Sequence, residues 1–207
     1  MVLNVNHLTL HRNQQAVISD LTFAITDQQK FVLQGEIGTG KSTLLLALLG
    51  FVPLHSGEIN WFGKSCRQEA DFMPLRGNMV GICFQQADDQ LFGPTVLDDV
   101  AFGCLNQGKS KAESYQIALE QLEKLGITHL KDRSVNLLSG GEKNFTALAG
   151  VLAMQPKMLL LDEPTNGLDA KNKAKLTALL QALELPMLIA SHDLAFSEAL
   201  ADEVICL

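Results

Sequence analysis

A basic stripe, paired cysteines and a long apolar run are all missing from this chain of 207 residues. Lysine and arginine number 16 against 23 acidic residues, a net charge of −7, and they are scattered. A nucleic-acid surface needs clustered positive charge, so that class is excluded. Cys66, Cys83, Cys104 and Cys206 show neither a CxxC nor a metal-ligand spacing. They are expected to be reduced, buried thiols of a cytosolic protein, not a disulfide framework or a zinc site. The N-terminus, Met1-Val2-Leu3-Asn4-Val5-Asn6, lacks the basic head and apolar stretch of a secretory signal. The longest nearly apolar run, Leu44 to Leu54, holds Gly50 and Pro53 and is too short to span a bilayer. A soluble protein is expected, and any work at a membrane needs another subunit.

What is present is ordinary for a globular domain, with 47% hydrophobic and 19% charged residues. The length suits one domain, or one domain with a subdomain. The first third reads as strands: Val2-Val5, Ala16-Ile18, Leu21-Ile25 and Lys30-Gln34, then a second strand pair at Glu58-Phe62 and Asn78-Phe84. From about Asp98 to Asn136 the pattern is helical, with Ile117, Leu119, Leu122 and Leu125 on one side of a polar helix. Leu159-Leu160-Leu161 and Met187-Leu188-Ile189-Ala190 are short apolar runs suited to buried parallel strands.

Strand Lys30-Gln34 leads into Gly35-Glu36-Ile37-Gly38-Thr39-Gly40-Lys41-Ser42-Thr43 and then an apolar helix from Leu44 to about Gly50. Gly-x-x-x-x-Gly-Lys-Ser between strand and helix is a phosphate-binding loop: backbone N–H groups wrap the anion and the helix presents its positive end. Lys41 reaches the β- and γ-phosphates, and the Ser42 hydroxyl ligates Mg²⁺. Asp162, closing the run Leu159 to Leu161, is placed to hold Mg²⁺ beside this loop. Glu163 is placed to polarise a water for attack on the γ-phosphate. Leu138-Ser139-Gly140-Gly141-Glu142 offers a second anion site at a helix start. Alone, it reads equally well as a plain N-cap. Beside a phosphate loop, the economical explanation is that it closes over a nucleotide held by a second copy.

These residues resemble ABC-transporter ATP-binding subunits over essentially the whole length. The resemblance implies an α/β P-loop NTPase of the ABC ATPase fold, with a mixed sheet core, an antiparallel β subdomain and a helical subdomain. The core and β subdomain would take about 1–88 and 155–207, and the helical subdomain with the signature loop about 89–154. Ser139, Gly140 and Gly141 look like the signature loop, which contacts ATP across a head-to-tail dimer. Gln85 looks like the Q-loop glutamine that senses Mg²⁺ and the attacking water. Asn166-Gly167-Leu168-Asp169 resembles the D-loop, and His192 the switch histidine at the γ-phosphate. ATP and Mg²⁺ are the implied cofactors. The implied partners are a second copy or paralogue, a transmembrane coupling subunit and a substrate-binding membrane subunit, on the cytoplasmic face of the membrane.

A narrower likeness runs from Gln85 through Asp88-Asp89-Gln90-Leu91-Phe92 to Gly103, and again at Leu148-Ala149-Gly150-Val151. It is similar to the energy-coupling-factor importers of cobalt, nickel and vitamins. Asp88 and Asp89 suit a basic residue of the membrane partner. Three departures stand out. The aromatic that usually stacks on adenine is replaced by His11 or Arg12, and Asn144-Phe145-Thr146 occupies the place of a basic residue after the signature. The chain also stops at Leu207, earlier than most family members, which suggests a minimal version. A GTPase is disfavoured because Asn172-Lys173-Ala174-Lys175 lacks the guanine-reading acid. Repair ATPases need heptad coiled coils that are missing here, and translation factors need two such domains in one chain. A vitamin importer or a soluble, non-transport ABC protein is the alternative.

Overall fold

The computed structural model describes residues 1–13, 15–36 and 38–207. Two sheets dominate it. The first is antiparallel, ordered β2-β1-β4-β5, with β1 at Leu3–Arg12, β2 at Gln15–Ile25, β4 at Ser56–Trp61 and β5 at Lys64–Cys66. In β1 the buried residues are Leu3 and Val5, then Leu8 and Leu10. An irregularity between Val5 and Leu8, with His7 at φ 48°, inserts one extra residue and resets the alternation.

The second sheet is ordered β6-β7-β8-β3-β9. Its strands are β3 at Lys30–Gln34, β6 at Val80–Cys83, β7 at Met158–Asp162, β8 at Met187–Ala190 and β9 at Glu203–Cys206. All its described pairings are parallel, so the mixed core expected from the resemblance is corrected. Antiparallel pairing is confined to the first sheet. The expected second strand pair is also corrected: Glu58-Phe62 falls in β4 and Asn78-Phe84 in β6, on different sheets.

The central strands β7 and β8 are buried along their whole length because both faces are covered. Phe31, Leu33, Met158, Leu160, Leu188 and Ala190 pack towards the antiparallel sheet and helix α1, Lys41–Leu48. Their neighbours Val32, Leu159, Leu161, Met187 and Ile189 face a helical layer. Each fully buried leucine there contributes about 1.5–3 kcal/mol. The short helix α2, Glu69–Phe72, fits beneath β5.

The helical layer holds α3 at Val96–Asn106, α4 at Lys111–Lys124, α5 at Gly140–Ala153, α6 at Ala170–Ala182 and α7 at Leu194–Leu200. The expected helical stretch of Asp98 to Asn136 is thus two helices followed by tight turns. In α4 the buried face runs through Ser114, Ala118, Gln121 and Leu122, while Ile117 and Leu119 are only half covered. The four cysteines are free; Cys66 and Cys104 are buried as expected, but Cys206 is exposed on the edge strand. Among the described residues no helix is long and apolar enough to cross a membrane.

Candidate functional site

The carboxyl ends of β6, β7, β8 and β3 lie along one edge of the parallel sheet, where α/β folds bind ligands. A cleft of about 430 Å³ opens there. It is lined by Arg12, Val17, Gly38, Gly40, Lys41, Ser42, Thr43, Gln85, Glu163, Asn166 and His192. Gly35 and Glu36 close β3 into the loop, and Thr39 hydrogen-bonds back to the Glu36 carbonyl through its hydroxyl at 3.0 Å. Ile37 lies outside the described residues. Gly40 caps α1 at φ 98°, a left-handed conformation that favours glycine, and a Cβ there would sit 3.3 Å from the Val17 carbonyl.

Lys41 is buried, and its ammonium donates to the Gly35 and Glu36 carbonyls at 2.7 and 3.0 Å. It stands 3.7 Å from Glu163 Oε1. The other oxygen of Glu163, Oε2, accepts from the His192 backbone N–H at 3.2 Å and lies 2.7 Å from His192 Nδ1. Each carboxylate oxygen therefore has one basic neighbour. Glu163 occupies a left-handed conformation at φ 46°, where a side chain costs on the order of 1–3 kcal/mol. Its N–H is fixed by the Ala190 carbonyl at 2.8 Å.

Beside it, Asp162 is buried and its Oδ1 has no hydrogen-bond partner. Burial raises its carboxyl above the usual range, the Ser42 hydroxyl opposes this, Glu163 adds to it and Lys41 opposes it. An orphaned carboxylate oxygen next to a serine hydroxyl is the donor set of a hard cation. Among the described residues no three His, Cys, Asp or Glu side chains converge, so a cation here needs phosphate oxygens as further ligands. Ser42 and Asp162 fit Mg²⁺ on those terms.

Ser139, Gly140 and Gly141 lie elsewhere. Ser139 caps α5, and its hydroxyl donates to Glu142 Oε2 at 2.8 Å while Glu142 accepts the Ser139 N–H at 2.7 Å. None of the three lines the cleft. Asp169 caps α6 by accepting the Asn172 N–H at 2.7 Å. Of the two base-stacking candidates, Arg12 reaches the cleft, whereas His11 stacks on His55 at 3.8 Å. Val17 and Asn166 also line the cleft. Asn166 was signalled only as part of a run, and Val17 carried no signal, since it arrives from the neighbouring sheet. Asp88 is not free: it pairs with Lys143 of α5, 55 residues away. Asp89 has no ion pair among the described residues.

Residues 18–166 match the family model described as ABC transporter. The chain belongs to the ABC transporter ATP-binding family. An uncharacterized ABC transporter ATP-binding protein of Haemophilus influenzae is 66% identical over 206 residues, covering 100% of this chain and 94% of that protein. A cobalt import ATP-binding protein, CbiO, of Rhodobacter capsulatus is 40% identical over 190 residues, covering 90% of this chain and 68% of that one. Among solved structures, CbiO1 of Clostridium perfringens, described as part of the ABC transporter complex CbiONQ, is 34% identical. Its TM-score is 0.88, with 99% of this chain and 84% of that chain covered. The protein is an ABC transporter ATPase, and ATP is its nucleotide.

Phe145 is buried, and Lys175 of α6 lies with its ammonium 4.7 Å from the ring centre. A cation from the neighbouring helix thus meets a ring in the Asn144-Phe145-Thr146 segment, where the resemblance leads one to expect a basic residue.

Proposed function

We propose that two copies of this chain, or one copy and a paralogue, bind two ATP molecules between them and drive a membrane importer of cobalt or nickel ions. The observation that carries the pairing is the separation of anion-binding groups. Lys41, Ser42, Glu163 and His192 share one cleft, while Ser139, Gly140 and Gly141 do not line it. A second copy supplies what one copy keeps apart. Leu137, large, apolar and exposed just before the signature, suits burial in such an interface.

In this reading Lys41 and the N–H groups of Gly35 to Thr43 bind the phosphates, and Arg12 stacks on the base. Glu163 takes the proton of the attacking water, with Gln85 and His192 orienting it from either side. Mg²⁺, held by Ser42, Asp162 and Gln85, would neutralise charge on the β- and γ-phosphates. Asp169 connects the two sites. Residues 89–154 form the part that moves against the rest, and the membrane subunits take up that movement at the cytoplasmic face. The cobalt assignment is supported by the CbiO relative.

The test is Glu163→Gln. It should keep ATP binding, slow hydrolysis by roughly 10²–10⁴-fold and sediment as an ATP-dependent dimer. Near-normal turnover, or a monomer at saturating ATP, would overturn the reading.

A further inference from the structure

We infer that Asn144 is a positioning residue for ATP hydrolysis, tying the helix that begins at the signature loop to the turn that follows Glu163. This rests on the paired-site reading above. The Asn144 amide donates to the Asn166 carbonyl at 3.2 Å. The N–H of Asn166 in turn donates to the Glu163 carbonyl at 3.0 Å, and Asn166 lines the nucleotide cleft. The turn from Glu163 to Asn166 is therefore held from within by its own hydrogen bond and from outside by α5.

The surrounding packing makes α5 and this turn one unit. A Cβ on Gly141 would lie 3.4 Å from both Leu168 and Asn172, so the start of α5 sits directly on the segment after the turn. Asn144 also borders a void of about 30 Å³ together with Gln85 and Glu163. One side chain thus stands where the signature helix, the strand end at Gln85, the general base and the turn meet. In a closed pair, Ser139 of one copy engages the partner's nucleotide, whereas Glu163 acts on its own. A shift of α5 towards the partner's phosphate pulls, through Asn144, on the turn that sets the Glu163 main chain. Asn144 links the two sites through a defined hydrogen bond, which is open to direct measurement.

The experiment compares Asn144→Leu, of similar size without the donor, with Asn144→Gln, which keeps the amide and has the adjoining void for its extra methylene. Phosphate release by the purified full-length chain should fall at least about tenfold in Asn144→Leu, with KM for ATP changed by less than about threefold. Asn144→Gln should recover at least about a third of wild-type turnover. In the Glu163→Gln background, Asn144→Leu should still form the ATP-dependent dimer. Wild-type turnover in Asn144→Leu, failure of Asn144→Gln to recover it, or loss of the dimer would each overturn the inference. If Glu163→Gln alone stays monomeric with ATP, the paired-site reading fails, and the Leu/Gln contrast in turnover still decides the role of Asn144. If Asn144→Leu does not melt cooperatively, Asn144→Asp replaces it, presenting an acceptor to the Asn166 carbonyl, with the same fall expected.

Discussion

Glu142 illustrates how one side chain serves both the fold and the site. Its carboxylate accepts the Ser139 N–H and hydroxyl and pairs with Arg133 at 3.1 Å. The Ser139 N–H above all, then its hydroxyl, hold the Glu142 carboxyl below the usual range; burial opposes them, and the charges of Arg133 and His129 add a lesser pull downward. A depressed carboxyl stabilises the fold above its unfolded pKa of about 4.3, and that stability is lost as pH falls through the lower folded value. Glu142→Ala should therefore cost about 1 kcal/mol at pH 7, with the gap to wild type closing as the pH is lowered below about 4. Glu142→Gln, which can still complete the capping box, should lose less at pH 7 and show a flatter pH dependence. Urea melts at pH 7 and pH 3.5 check both. The lining of the cleft was legible where a motif demands a residue type at a fixed spacing: the loop glycines and Lys41, and Glu163 directly after β7. Arg12 was the residue expected at the base and does line the cleft, whereas the stacking of His11 on His55 was not legible, because it depends on which face of β1 each side chain takes beside an irregular pairing.

At the scale of elements, α5 is the most heavily engaged helix around the site. On one flank Asn144 meets the turn after Glu163; on the other, Lys143 pairs with Asp88 and Gln90 donates to the Ala147 carbonyl at 3.5 Å. Gln90 also accepts the Phe84 N–H at 3.2 Å, so the segment after Gln85 is fastened to α5. Apolar runs disclosed the buried strands because both faces of the parallel sheet are covered. The Asp88–Lys143 pair was hidden, since nothing local in either segment announces a contact across 55 residues. It divides the work of the two acids. Asp88 serves α5 within the chain, whereas Asp89, with no ion pair among the described residues, is the acid we propose for a basic residue of the membrane subunit. Asp89→Ala should leave the isolated subunit's turnover unchanged while weakening co-purification with its membrane partners about tenfold, or ~1.4 kcal/mol. Cobalt uptake by cells carrying that variant should fall in step. Asp88→Ala, by contrast, should change turnover of the isolated chain, as α5 loses one of its two ties to the segment after Gln85.

For the whole molecule, three layers around one parallel sheet place every phosphate-facing group but the signature on a single edge. The proposed closed pair would bury two nucleotides at once, which makes stability a matter of concentration as well as sequence. The melting temperature of Glu163→Gln with saturating ATP should rise with chain concentration, whereas without nucleotide it should not. Differential scanning fluorimetry across a hundredfold concentration range distinguishes the two; a flat response with ATP would argue against pairing.

One backbone angle carries a consequence for how this molecule persists over generations. Glu163 keeps its carboxylate on a left-handed turn that glycine or asparagine would occupy with less strain. Selection for folding alone would drift this position towards those residues, and on the proposed reading each such step would make the protein sturdier and idle. With the general-base role proposed for Glu163, a glutamate there sets turnover against a steady pull towards a more comfortable chain.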